Sequence, residues 1–219
     1  GGIDSIYMYH KILSLKEKYS YDISIAHVNY NTSPISSKSH SLCLKLSKKN
    51  RHPFYYKSVF LDTKSNFENN ARRLRYDFFK SIAQHEGYDN ILIAHTKDDL
   101  IETLYMRNSD SSDFSILPFN RSQNLYKRPI IDISRSEIVN EVTDMQYQYY
   151  EDPTNFDITY RRNNVRHKIL PNLSDKDKII DRLIKKYNRN KKRYEKFMLE
   201  YGNISKNYIL YSNNKISIT

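Results

Sequence analysis

Several groups of residues in this chain have the types and spacing to do chemistry. Gly1-Gly2-Ile3-Asp4-Ser5 is a glycine turn running into a helical pattern, which leaves backbone N–H groups at the positive end of a helix dipole, where a pyrophosphate can sit. Glycine is expected there because a Cβ would keep phosphate away from the backbone. His95, Asp98 and Glu102 recur at i, i+3 and i+7 with Asp99 beside them, so they share one face at the start of a helix. Set against a bound triphosphate, these carboxylates could hold Mg2+ and stabilise charge on departing pyrophosphate. The same stretch also reads as a helix cap, Thr96 to Asp99, with His95 as a polar residue closing a strand.

Glu68, Arg72, Arg75 and Tyr76 lie along another helix. Glu68 and Arg72 read equally as a surface i, i+4 pair, while two arginines beside a nucleotide pocket suit bidentate contact with phosphate. Arg161-Arg162-Asn163-Asn164-Val165-Arg166-His167-Lys168 is either solvated charge or an anion clamp.

The elements that must position these groups follow from hydrophobic periodicity. Helices are expected over 6–19, 39–49, 67–85, 100–107 and 134–147, the last opened by the capping box Ser134-Arg135-Ser136-Glu137. Short apolar strands are expected over 23–28, 53–61 and 90–94. This alternation argues for an α/β, Rossmann-like parallel sheet with helices on both faces and ligands at the carboxyl ends of the strands, near Gly1, His27 and His95. Residues 108–124 read as a polar crossing loop. A single amphipathic helix with a basic outer face is expected over 176–201, and the tail from 203 to 219 as the start of an incomplete element. The division is therefore 1–171 for the main domain and 172–219 for a basic helical linker.

Charge sharpens that division. Residues 1–160 hold 20 Lys+Arg against 20 Asp+Glu, whereas residues 161–219 hold 16 against 5, so the whole net charge of +11 lies in the last quarter. Such a segment beside a neutral domain is the footprint of a polyanion partner, most often nucleic acid, or a solvated basic helix. The one cysteine, Cys43, excludes an internal disulfide and any cluster held by several cysteines. No apolar run approaches the roughly 18 residues of a membrane span, so a soluble protein with no membrane partner is expected. Four glycines, no Trp and 20 Tyr read as compositional drift rather than function. The chain begins without Met and without a strand ahead of Gly1, and an N-terminus missing its first strand is expected.

The order of segments resembles bacterial and organellar tRNA(Ile)-lysidine synthase, a PP-loop family. The resemblance runs from residue 1 to about 171 through Gly1-Gly2-Ile3-Asp4-Ser5, Ala26-His27-Val28-Asn29, Glu68 to Tyr76, Ala94-His95 to Glu102-Thr103, Arg128-Pro129-Ile130, Glu151-Asp152-Pro153-Thr154-Asn155 and Tyr160 to Arg166. It implies a cytoplasmic or organellar ligase that adenylates the wobble cytidine of tRNA(Ile) with a CAU anticodon using ATP and Mg2+, then displaces AMP with L-lysine; a homodimer is compatible with it. On the matching positions, Gly1, Gly2, Asp4 and Ser5 would form the pyrophosphate loop, with Ala26 and His27 at the adenosine and His95 among the ATP-binding residues. Asp98, Asp99 and Glu102 would supply metal and activation chemistry, Asp98 and Glu102 as the metal ligands. Arg72 would act in catalysis and Arg75 on phosphate or the activated base. Arg162, Asn163 and Arg166 would line the tRNA or intermediate site, and Glu68 would meet the lysine ammonium.

The chain departs from the family pattern at the Ser before the glycine pair, at Asn108 to Asp113 where a Gly-rich loop is usual, and at Tyr30-Asn31-Thr32-Ser33 in place of a basic stretch. Another PP-loop ligase, a tRNA thiolase included, and a tRNA-binding remnant without ATP turnover are the competing readings. The lone Cys43 weighs against a thiolase, and the intact acids near position 100 against a remnant.

Overall fold

The computed structural model describes residues 1–31, 33–60, 67–108, 125–201, 209–212 and 215–218, with side chains at 17, 67, 68, 108, 194 and from 197 on left aside. The chain divides into two compact units, one of residues 1–100 and 123–168 and the other of 101–122 and 169–219.

In the first unit, α1 (Ile3–Tyr19) follows an extended Gly2 at its N-cap and turns Ile3, Ile6 and Tyr7 inward, the i, i+3, i+4 stripe of a helix with one buried face. It begins three residues before the expected start because Gly2, not Ser5, is the last non-helical residue. β1 (Ile25–Asn29), α2 (Ile35–Asn50) and β2 (Phe54–Ser58) form a crossover. β1 and β2 are parallel, from Ile25 opposite Phe54 to Asn29 opposite Ser58, as a helix-connected pair must be. α3 (Phe67–Glu86) leads into β3 (Ile91–Leu92), then α4 (Lys97–Asn108), which passes into the second unit after Leu100. β4 (Tyr126–Lys127) lies parallel to β3. Two residues are too few to show any period, so this strand left no mark in the sequence.

α5 (Arg135–Asp144) carries the expected capping box: Ser134 Oγ accepts from the Glu137 N–H, and the Glu137 carboxylate accepts from the Ser134 N–H at 2.8 Å. It ends at Asp144 rather than Tyr147. Ile3 and Tyr7 of α1 pack with Ile130, Ile138 and Val142 in the core of this unit, against Ala94, Ile133 and Tyr147. That packing sets the first turn of α1 beside the start of α5. α6 (Arg161–Asn164) continues as a wide turn through Ile169.

The second unit holds α7 (Lys176–Tyr201), with the bounds expected from its periodicity, and a hairpin of β5 (Ile209–Ser212) and β6 (Lys215–Ile218). Ile101, Leu104, Leu170 and Leu183 are its buried apolar residues among those described. The expected crossing loop at 108–124 lies almost wholly outside the described residues. Among the described residues no helix is long and apolar enough to cross a membrane.

Candidate active site

The first unit contains a cavity of about 180 Å3 whose wall includes Gly1, Gly2, Asp4, His27, Arg135 and Glu151. Gly1 is fixed by packing: a Cβ there would meet Ser39 Cβ of α2 at 2.5 Å, closer than real side chains come, and its carbonyl accepts the Tyr150 N–H at 3.0 Å. Gly2 meets nothing nearer than the Tyr150 carbonyl at 4.0 Å. Of the two glycines expected to admit phosphate, the first is thus required by its contact with α2 and the second is sterically open. His27 enters the cavity wall from the middle of β1, its ring parallel to Tyr56 with centroids 6.1 Å apart. Burial pushes its pKa down to about 4, so the ring is neutral near pH 7, and its buried Nε2 has no hydrogen-bond partner among the described residues. Ser5 is exposed on α1, and neither it nor Ala26 is among the cavity-lining residues.

The start of α4 is a full capping box. Asp99 Oδ2 accepts from the Thr96 N–H at 2.9 Å and from Thr96 Oγ1 at 3.1 Å, while the Asp99 N–H donates to Thr96 Oγ1 at 3.3 Å. Capping does not exhaust the aspartate. Its Oδ1 pairs with Arg166 Nη2 at 3.3 Å, and Arg162 Nη2 donates to its main-chain carbonyl at 3.3 Å. Burial opposes ionisation, but Arg162, the Thr96 N–H, His95 and Arg166 together hold this carboxyl below the usual range. Asp98 Oδ2 accepts the main-chain N–H of Arg135 at 2.7 Å. Glu102 lies one turn on, in the second unit, with its side chain 1 % exposed.

Asp4 shares an electrostatic neighbourhood with this helix start. Burial raises its pKa to about 6; Arg135 and Arg166 pull it back, and Asp99 and Asp98 push it further up. Arg135 joins the two, its guanidinium 3.2 Å from Asp4 and its main-chain N–H 2.7 Å from Asp98.

Arginines cluster around His95, outside the residues that line the cavity. Arg128 Nε donates to His95 Nδ1 at 3.1 Å, a bond that needs a neutral imidazole, and burial together with Arg128, Arg72 and Arg162 outweighs Asp99 to lower His95 to about 3. Arg72 lies over the Tyr76 ring at 4.9 Å and donates to its hydroxyl at 3.3 Å. Burial, with Arg75, Arg162 and Arg128 nearby, pulls its pKa below the ordinary value. Arg75 hydrogen-bonds Tyr30, whose hydroxyl donates to the Ala71 carbonyl at 2.9 Å; Tyr30 thus ties the end of β1 to α3. Asn163 turns its amide to the Thr154 and Asp157 carbonyls at 2.8 and 2.9 Å, bracing the loop before α6. The side chain of Glu68 lies outside the described ones.

Sequence reasoning overlooked Arg128, Arg135 and Glu151 as site residues. Arg135 carried a readable signal: a cation in the first turn of a helix opposes the macrodipole, and its guanidinium meets Asp4 at 3.2 Å and Glu151 at 2.5 Å. Among the described residues no group of three His, Cys, Asp or Glu side chains is placed to hold a metal.

Residues 1–173 match the model of the PP-loop domain. The chain is 33% identical to tRNA(Ile)-lysidine synthase of Mycoplasma mycoides, covering 100% of this chain and 54% of that protein. It is 34% identical to the Streptococcus equi synthase over 78% of this chain and 39% of the relative, and 32% identical to that of Mesoplasma florum over 85% and 48%. It thus spans about half the length, or less, of these curated relatives. Among solved structures it resembles the U34-tRNA thiolase NcsA from Methanococcus maripaludis with its 4Fe-4S cluster, at a TM-score of 0.68 and 13% identity over 86% of this chain and 68% of that one, a likeness of fold that agrees with the expected α/β class. By its match over most of its length, the chain belongs to the PP-loop family.

Proposed function

We propose that this chain supplies the ATP-using part of an enzyme that joins L-lysine to the wobble cytidine of tRNA(Ile) bearing a CAU anticodon. Residues 1–171 form the catalytic portion and 172–219 a basic helical connection. The cytidine C2 oxygen attacks the α-phosphorus of ATP, the α–β anhydride bond breaks and pyrophosphate leaves. The lysine ε-amine then adds at C2, sheds a proton, and the C2–O bond breaks to release AMP. The carrying observation is the convergence of Asp4, Asp98 and Asp99 with Arg162 and Arg166 in a chain whose relatives are named for this activity.

The residues suit a nucleotide. Gly1, Gly2 and Asp4 line the pocket for pyrophosphate, with Ser5 following on the exposed face of α1, and His27, next to Ala26 on β1, borders the adenosine, where its neutral Nε2, unpartnered among the described residues, offers a hydrogen-bonding edge. Mg2+ suits the site as an ion carried by the phosphates rather than caged by protein: it keeps several waters and takes one or two carboxylates. Asp98 and Glu102 are the proposed ligands, while Asp99 is committed to Thr96 and Arg166. An Mg2+ ion held by these carboxylates would supply positive charge to the departing pyrophosphate. Arg72, Arg75, Arg162 and Arg166 offer planar forks to phosphate and to the activated base, His95 keeps Arg128 in place, and Asn163 holds the α6 arginines by bracing their loop. Glu68 remains the proposed partner of the lysine ammonium. The partner macromolecule is tRNA, met in part by the basic α7, in a bacterial cytoplasm or organelle.

Full-length protein incubated with ATP, Mg2+, labelled lysine and CAU-anticodon tRNA should label the tRNA. Asp98→Asn, which keeps an acceptor for the Arg135 N–H, should lower labelling about 100-fold, in line with loss of one preorganised charge. ATP turnover by the wild type with no label in tRNA would assign the site to other PP-loop chemistry.

A further inference from the structure

Arg135 stands where a helix disfavours it. It is the first residue of α5, so its guanidinium sits at the positive end of the dipole, and it nevertheless bonds to acids of separate segments. Nη1 reaches Asp4 Oδ2 at 3.2 Å in the first turn of α1, Nη2 reaches Glu151 Oε1 at 2.5 Å beyond the C-terminus of α5, and the main-chain N–H reaches Asp98 Oδ2 at 2.7 Å at the start of α4. All three contacts are part-buried.

We infer that Arg135 is a positioning residue for the nucleotide: it sets the spacing between the Gly1–Gly2 turn and the acidic start of α4, and acts through Asp4 and Glu151 rather than on phosphate. Both terminal nitrogens face carboxylates, and two carboxylates more than balance its charge. This differs from Arg162, whose Nη2 bonds a neutral carbonyl. A planar fork is needed because one cation must hold two acids in divergent directions, which an ammonium does not reproduce. The main-chain bond to Asp98 survives side-chain replacement, so substitution releases Asp4 and Glu151 alone. The inference rests on the nucleotide-binding part of the function proposed above.

A double-mutant cycle on Mg·ATP affinity, measured calorimetrically with full-length protein, tests it. Arg135→Gln should weaken binding about 10-fold and Glu151→Gln about 5-fold, and the double variant should lose no more than Arg135→Gln alone, because residues acting as one unit are not additive. Arg135→Lys should stay near the Gln variant. In the lysine-transfer assay Arg135→Gln should raise KM for ATP about 10-fold with kcat within about twofold. Unchanged affinity in a folded Arg135→Gln variant, or losses that multiply in the double variant, would overturn the inference. If Arg135→Gln fails to fold, Glu151→Gln decides: a clear loss of affinity upholds the inference and wild-type affinity defeats it. A wild type that shows the affinity cycle but never labels tRNA would sink the lysine-transfer reading and leave Arg135 in its role.

Discussion

Two regions of the first unit, an acid-rich wall of the cavity and an arginine-rich wall around His95 that lies outside the cavity lining, solve opposite electrostatic problems. Around the Gly1–Gly2 turn one guanidinium, that of Arg135, serves Asp4 and Glu151, with Asp98 on its main chain. Around His95 the ratio reverses: Arg128, Arg72 and Arg162 lie near its ring, Arg162 bonds the main-chain carbonyl of Asp99 and Arg166 pairs with its carboxylate. In the first wall burial raises the pKa of Asp4 to about 6 against the pull of Arg135; in the second Arg162 and Arg166, with the Thr96 N–H, hold Asp99 low in spite of burial. A nucleotide needs both arrangements, since its metal ion seeks carboxylates and its phosphates seek arginines. The difference teaches that burial decides the protonation of one carboxylate and neighbouring arginines that of the other.

The strongest way to break this contrast is to remove a cation from the arginine-rich wall. Arg166→Ala should lower lysine transfer about 100-fold, the scale for one preorganised charge aimed at a developing anion. It should cost little stability, because the bonds between Thr96 and Asp99 persist. A loss of activity smaller than about threefold would show that this wall is merely a structural ion-pair network.

A second test contrasts the glycines of the acid-rich wall. Gly1→Ala would drive a Cβ to within 2.5 Å of Ser39, and overpacking of that kind costs about 1–3 kcal/mol. Gly2→Ser meets open space and adds a capping hydroxyl where α1 has no side-chain cap, so thermal unfolding should show it neutral or slightly stabilised. Equal losses for the two variants would refute the packing explanation of Gly1.

Much of this site was legible in local sequence. The α3 and α7 periods, the Ser134–Glu137 box and the Thr96–Asp99 cap depend on residues a few positions apart, and the structure realises each of them. What was not legible depends on distant partners. Arg128 meets His95 across 33 positions and Arg135 meets Asp4 across 131, and the steric need for Gly1 comes from Ser39 on another helix. β4 escaped because a two-residue strand exists only through its pairing with β3.

The smallest expected effect is in the pH dependence of stability, where the walls pull against each other. Asp4 has a raised pKa, so its stability contribution is present below its unfolded value of 3.8 and is lost as pH rises through about 6. His27 is lowered from 6.5 to about 4 and His95 to about 3; their contribution is present above 6.5 and is lost as pH falls through those values. Between about pH 4 and 6 the slopes therefore oppose and partly cancel. Asp4→Asn removes one side of that balance, and urea midpoints should fall more steeply on acidification from about pH 6.5 to 4.5, by on the order of 1 kcal/mol. His27→Asn should flatten the same curve or tilt it the other way. Parallel curves for wild type and Asp4→Asn would mean that the Asp4 carboxyl titrates alike in the folded and unfolded chain, and that its burial beside Arg135 does not set its charge.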